Sequence, residues 1–185
     1  MFRSGAICGR VWVAEGVRLR LTNYTDFTLR TLIYLALATD RLATIAEISE
    51  HYGISEAHLN KVVHQLGIAG DIETVRGKGG GLRLARPPEV IHVGEVVRRC
   101  EPDLELVPCF GEGDICAIQP DCVLQKAMQG ALAAFLQELN RYTLADLIAP
   151  RRRLAALLGL RLPVQPKQVA GVRRPALARS KARVG

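Results

Sequence analysis

The stretch from Thr44 to Arg86 limits the possible folds of this chain more than any other. It opens on Thr44-Ile45-Ala46-Glu47, a Thr followed three residues later by a Glu, which is the pattern of a capping box and fixes a helix start. Ile45 and Ile48 give that helix an inner face, and Gly53 stops it. Ser55 then caps a second helix whose inner stripe is Leu59, Val62, Val63 and Leu66, running down to Gly70. Glu56, His58, Asn60, Lys61, His64 and Gln65 fall on its outer face. A merely solvated face would look the same, so the next segment decides. From Asp71 to Arg86 (DIETVRGKGGGLRLAR) apolar and polar residues alternate on either side of a basic turn holding four glycines. That is a β-hairpin whose tip is expected to carry Arg76, Lys78 and Arg83. The GKGGG string invites a nucleotide phosphate loop, but the Walker spacing and its Ser or Thr are missing and no βαβ pattern surrounds it. Two short helices, a tight turn and a basic hairpin instead read as a winged helix-turn-helix. Its second helix would read the major groove while the hairpin cations hold a phosphate or enter the minor groove. The residues expected to meet DNA are Ser55, His58, Asn60, Lys61, His64, Arg76, Lys78 and Arg83.

Helices flank this unit. From Thr22 to Ala38 apolar residues cover more than one face, which suits burial between other elements; Asp26 and Arg30 stand four apart there as an exposed ion pair. Pro87 and Pro88 stop the hairpin, and His92–Arg99 read as a fourth helix with Val93, Val96 and Val97 inward. Cys100 follows it and is read as packing. A long helix is expected from Asp121 to about Tyr142, with Leu124, Met128, Ala131, Phe135 and Leu139 in one stripe and Leu132 and Leu136 as surplus. That surplus calls for a partner helix, most economically a second copy, because a twofold dimer matches a palindromic operator. Thr143 caps a short terminal helix that Pro150 ends. The fold expected is mostly α with a small β-hairpin wing. Residues 1–18 would be a disordered N-terminal extension, 19–100 the winged helix-turn-helix, 101–123 a cysteine loop, 121–149 the dimerisation helix and short terminal helix, and 150–185 a disordered basic tail.

The cysteine loop carries the chemistry. Cys109, Cys116 and Cys122 are three of the five cysteines, gathered in VPCFGEGDICAIQPDCVLQ, where Gly111 and Gly113 permit tight folding. The loop is rich in Gly, Asp and Glu, so it has little apolar material in which to hide structural thiols. A zinc knuckle would show closer pairs and a fourth ligand nearby. Three soft thiolates on a wider spacing suit an iron-sulfur cluster better, with a further ligand from elsewhere. A disulfide framework fits an odd cysteine count badly. Nothing in Met1–Gly16 resembles a secretory signal, so a reducing cytoplasm is expected. Cys8 and Trp12 belong to no motif.

Charge is segregated along the chain. The formal net charge is +7, yet from Arg151 onward there are ten Lys or Arg and no acid, so residues 1–150 hold 15 basic against 18 acidic side chains. Residues 1–86 hold 11 basic against 8 acidic, and residues 87–150 hold 4 against 10. A mildly basic front half thus precedes an acidic half, as a phosphate-facing head requires, and the tail would add sequence-independent attraction to DNA. No apolar run approaches the ~18–20 residues of a membrane span.

The strings LTNYTDFTLRTLIYLA, RGKGGGLRLARP, VGEVVRRCEPDLELVPCF, CAIQPDC and FLQELNRYTLADL resemble the NsrR family of nitrite-sensitive repressors, the nitric-oxide-sensing branch of the winged-helix iron-sulfur regulators. The likeness covers about Leu19 to Ala149. It implies a homodimeric repressor, not an enzyme, that holds operator DNA while its [4Fe-4S] or [2Fe-2S] cluster is intact and lets go when nitric oxide nitrosylates the iron. It also implies Cys109, Cys116 and Cys122 as thiolate ligands, Asp26 as the ligand supplied by the opposite subunit, and Arg30 as the support of that carboxylate. A related regulator sensing iron-sulfur supply would use a histidine near the last cysteine, and no His follows Cys122. A cluster-free thiol switch is a further alternative; an electron carrier, which needs four cysteines and no wing, fares worst.

Overall fold

The computed structural model describes residues 20–101, 104, 118, 121–160 and 162. Cys8, Trp12, Cys109, Cys116, the extension expected over residues 1–18 and the tail beyond residue 162 lie outside the described residues.

The first three helix starts have local causes. Thr22 caps α1 (Asn23–Leu37) by accepting the Thr25 N–H. Thr44 and Glu47 form the reciprocal capping box of α2 (Ile45–Tyr52), and Ser55 caps α3 (Glu56–Ile68) by accepting the His58 N–H. The chain then makes β1 (Ile72–Val75) and β2 (Gly81–Leu84), paired antiparallel with Ile72 opposite Leu84 and Glu73 opposite Arg83. Ala43, just before α2, bridges to Leu82, so the hairpin is stitched to the root of the helix pair. Glycines at the wing turn are demanded by geometry: Gly77 and Gly79 have φ of 99° and 80°, and a β-carbon on Gly81 would stand 2.6 Å from the Ala43 carbonyl oxygen. This accounts for the GKGGG string without any phosphate.

A short 3-10 turn (Pro88–Val90) leads to α4 (Val93–Cys100), and beyond the cysteine loop come α5 (Val123–Asn140), α6 (Leu144–Leu147) and α7 (Arg151–Leu157). The main core gathers Leu32, Leu35 and Leu37 of α1, Ile48 of α2, Leu59, Val62 and Leu66 of α3, Ile72, Leu82, Val96 and Leu144. α1 is its axis, packed against α2, α3, α4, β2 and α6. A second, smaller cluster joins Val93 and Val97 of α4 to Leu136 of α5. There the two helices approach so closely that a β-carbon on Gly94 would lie 2.4 Å from Asn140 Oδ1 and 2.6 Å from the Leu136 carbonyl oxygen. Among the described residues no helix is long and apolar enough to cross a membrane.

Three expectations are corrected. The inner line of α5 is Leu132, Leu136 and Leu139, while Leu124 and Phe135 of the expected inner stripe stay exposed beside Val123. Of that stripe, Met128 is half-buried and Ala131 exposed. The helix-helix contact with α4, centred on Gly94, selects a face one step round from the one periodicity favoured. Residues 151–160 are not a disordered tail: α7 docks on the body, with Ala155 1% exposed and Leu154, Leu158 and Leu160 packed against the main core. Arg83 sits within β2 opposite Glu73, not at the hairpin tip.

Candidate metal centre and nucleic-acid interface

Of the three loop cysteines, the structure describes Cys122. It is the N-cap of α5, where its Sγ accepts the Gln125 N–H at 3.4 Å. A sulfur at a helix N-terminus faces oriented N–H groups and the positive end of the dipole. The helix therefore begins after Cys122 and not on Asp121. Among the described residues no three His, Cys, Asp or Glu converge as a metal site. Cys109 and Cys116, expected to complete the donor set with Cys122, are outside the described residues. As chemistry, three thiolates on one loop, one of them at a helix dipole, fit soft iron.

Asp26 lies in the first turn of α1, half-exposed, and Arg30 one turn on donates from Nε to its Oδ1 at 3.0 Å, with Oδ2 2.9 Å from the same nitrogen in an ion pair. The Arg30 guanidinium in turn lies 5.7 Å from the centre of the Tyr52 ring, at the end of α2. Phe27, the next residue after Asp26, meets the His58 imidazole of α3 at 5.7 Å. The carboxylate expected at the metal is thus one residue or one turn from contacts to both helices of the helix-turn-helix.

A residue that sequence reasoning missed anchors this end of α1. Glu101, directly after α4 and at the start of the cysteine loop, is only 8% exposed. Its Oε1 accepts the Thr22 N–H at 2.7 Å, the Thr22 hydroxyl at 3.1 Å and the Thr25 hydroxyl at 2.5 Å. An anionic group placed on the unsatisfied N–H groups of a helix start satisfies them and complements the dipole. Cys100 beside it is buried, and burial pushes its thiol above the usual range, against the lowering influence of Thr28 and Arg99. With less thiolate at neutral pH, Cys100 is a packing residue, as expected.

The outer face of α3 is laid out as the sequence predicts, with Glu56, His58, Asn60, Lys61, His64 and Gln65 exposed. Two of these are engaged within the protein: His58 Nδ1 shares a hydrogen bond with the Ser55 hydroxyl at 2.8 Å, and Asn60 Nδ2 donates to the Glu56 carbonyl at 2.8 Å. Arg76 and Lys78 stand at the wing turn, while Arg83 is paired with Glu73 at 2.9 Å and half-exposed. Behind the wing, the fully buried Asp71 receives Arg86 at 3.1 Å and also Arg99 of α4. One carboxylate thereby ties the end of α3, the hairpin and α4 together.

Comparison with known proteins finds a family and relatives for the chain. Residues 21–150 match the Rrf2 family, described as iron-dependent transcriptional regulators. The chain is 47% identical over 142 residues to the HTH-type transcriptional regulator NsrR of Shouchella clausii, covering 76% of this chain and 95% of that one. It is 45% identical over 145 residues to the protein of the same name in Bacillus subtilis, covering 77% and 99%. Among solved structures, IscR of T. potens superposes with a TM-score of 0.59 at 24% identity, over 74% of this chain and 90% of that one. CymR of Staphylococcus aureus superposes with a TM-score of 0.54 at 26% identity, over 68% and 95%.

Proposed function

Because this chain belongs to the Rrf2 family of transcriptional regulators, we propose that it is a cytoplasmic homodimeric repressor that grips operator DNA with an iron-sulfur cluster in place and releases it in response to nitric oxide. Cys109, Cys116 and Cys122 would hold the cluster, and Asp26 of the opposite subunit would complete the ligand set. The cluster supplies iron that can bind a small diatomic, and an oxygen ligand, weaker than thiolate, leaves one iron more open to it.

The observation that carries the reading is the setting of Asp26. Arg30 holds its carboxylate on one side and rests on Tyr52 of α2 on the other, while Phe27 abuts His58 in the first turn of α3. A change in what Asp26 binds therefore alters packing on both helices of the helix-turn-helix, through contacts that already exist. α1 also contributes more buried residues to the main core than any other helix, so it moves as a rigid element and not residue by residue. Cys122 sits at the head of α5, which is fixed to α4 at Gly94, so the loop is held at both ends by helices that touch α1 or its neighbours.

Dimerisation has its own support. Leu124 and Phe135, 58% and 38% exposed, share one face of α5 that the other described residues leave uncovered. A second α5 across a twofold axis would cover it and set two α3 helices for a palindromic site. Lys61, His64 and Gln65 on α3 and Arg76 and Lys78 on the wing are the groups available to bases and phosphates, with Ser55, His58, Asn60 and Arg83 shaping the surface around them. The test is promoter binding by protein reconstituted without oxygen, before and after nitric oxide. Binding confined to the untreated, coloured protein is the expected result; equal binding in both states contradicts the proposal.

A further inference from the structure

Between the start of α1, the end of α3 and the end of α4 lies a cavity of about 320 Å³ whose lining includes neither Asp26 nor Cys122. That volume is at the lower end of the range for small-molecule pockets, and the space between helices is a common place for them. The floor is closed. Thr28 and Cys100 there are 1% and 9% exposed, and the Thr28 hydroxyl is spent on the Tyr24 carbonyl at 2.8 Å. One wall is apolar: Leu66 is buried, Ile68 in the last turn of α3 is 69% exposed, and Ala69 is the C-cap beside it. An isoleucine so open to water at the rim of a cavity gains from any apolar body that covers it.

The other wall is charged. Arg99 lines the cavity with its side chain 40% exposed, and it shares the fully buried Asp71 with Arg86. Two guanidiniums on one carboxylate leave a positive charge in excess, and Arg99 is the one the cavity reaches. Its Nη2 donates to Asp71, and its remaining N–H groups have no acceptor among the described residues. Glu101, next in the chain to Cys100, does not cancel the excess, because its Oε1 is taken up by Thr22 and Thr25 at the positive start of α1. A carboxylate with an apolar body thus finds a complement on both walls, a guanidinium for its charge and Leu66, Ile68 and Ala69 for the rest.

The cavity also reaches the helix presented to DNA. Gln65, exposed on α3 one turn after Lys61, completes the lining. A carboxylate on Arg99 would share that guanidinium with Asp71, which ties the end of α3 and the hairpin to α4. We propose that this cavity binds a small organic carboxylate with a branched aliphatic body, and that its occupancy weakens operator binding independently of the cluster. The effect on DNA rests on the regulator reading; the site itself does not.

The probe is isocaproate, set against acetate, which keeps only the carboxylate, and isocaproamide, which keeps only the apolar body. Isothermal titration into the full chain, loaded with iron and sulfide without oxygen, should give a Kd of about 1 mM or below for isocaproate, roughly tenfold or more tighter than either comparison compound. Ala69→Phe, which fills the cavity from its rim, should abolish that binding and keep the melt and the promoter affinity of the parent. Ile68→Glu, which sets a like charge at the rim, should weaken it roughly tenfold and serves should the larger side chain disturb folding. Saturating isocaproate should lower promoter affinity about fivefold or more in the parent and leave Ala69→Phe unaffected. Acetate binding as tightly as isocaproate would show simple attraction of anions to a basic chain and overturn the site, as would binding that survives both substitutions or no saturable heat up to about 10 mM. A filled site with unchanged promoter affinity overturns the effect on DNA. A chain that takes up isocaproate and binds no promoter in any state overturns that effect together with the regulator reading, with the site upheld.

Discussion

Removing the Glu101 side chain should loosen the start of α1 by an amount the structure lets one work out. Glu101→Ala deletes the acceptor of three hydrogen bonds, from the Thr22 N–H, the Thr22 hydroxyl and the Thr25 hydroxyl. Thr22 is exposed, so water replaces the carboxylate there at small cost; Thr25 is fully buried, and its hydroxyl keeps only a 3.3 Å neighbour in the Thr22 hydroxyl. A buried donor left short costs about 1–3 kcal/mol. Loss of the anion at a partly buried helix N-terminus adds up to about 2 kcal/mol, offset in part because a carboxylate no longer has to be desolvated. The net is about 2–4 kcal/mol, or a fall in Tm of roughly 5–12 °C for a chain of this size. Glu101→Gln keeps an acceptor at the same place and loses only the charge, so about 1 kcal/mol is expected. Urea unfolding followed by circular dichroism reads both, as a lower midpoint with unchanged m. Should Ala and Gln be equally damaging, or Ala fall within about 0.5 kcal/mol of the parent, Glu101 does not fasten α1.

Three further outcomes follow from the same layout. Cys116→Ser should abolish iron retention and bring promoter affinity down to the non-specific level, a loss of roughly 10³-fold or more; unaltered colour and affinity would remove Cys116 from the ligand set. Lys78→Ala should lower the salt slope of DNA binding by about 1 and leave the visible absorbance unchanged, and a colour change would show that the wing is not independent of the metal centre. Cys100→Ala should leave iron content unchanged, and because burial raises the Cys100 thiol, so that less thiolate is present at pH 7, that residue should be among the last alkylated in the native protein; fast alkylation would contradict its packing role.

What could be read from sequence alone was local. Thr44 with Glu47, Ser55, Gly53 and the wing-turn glycines Gly77 and Gly79 each act within a few residues, and the structure uses each where the pattern places it. The misses are long-range. Glu101 reads as one half of a Glu-Pro turn because its partners are 76 to 79 positions away. α7 was hidden by its own composition: three arginines in a row suggest a solvated tail, and only the docking of Arg151 on Leu37, 114 positions earlier, gives the apolar residues after them something to cover. The sequence pattern puts Arg83 at the hairpin tip because strand register depends on where the turn closes, and four glycines leave that open. Hydrophobic period selects one face of α5, but the close contact at Gly94 decides which face turns inward. At the candidate site, the residue types and spacing of Cys109, Cys116 and Cys122 were legible, whereas the Asp26 contacts to Tyr52 and His58 through its neighbours were not.

The most direct test of the central claim is a titration without oxygen, in which nitric oxide is added stepwise to protein carrying iron and sulfide while visible absorbance and promoter anisotropy are recorded on one sample. The account predicts that DNA is released in step with the loss of the original absorbance. Release with no iron present, or full loss of colour with the DNA still held, would contradict it.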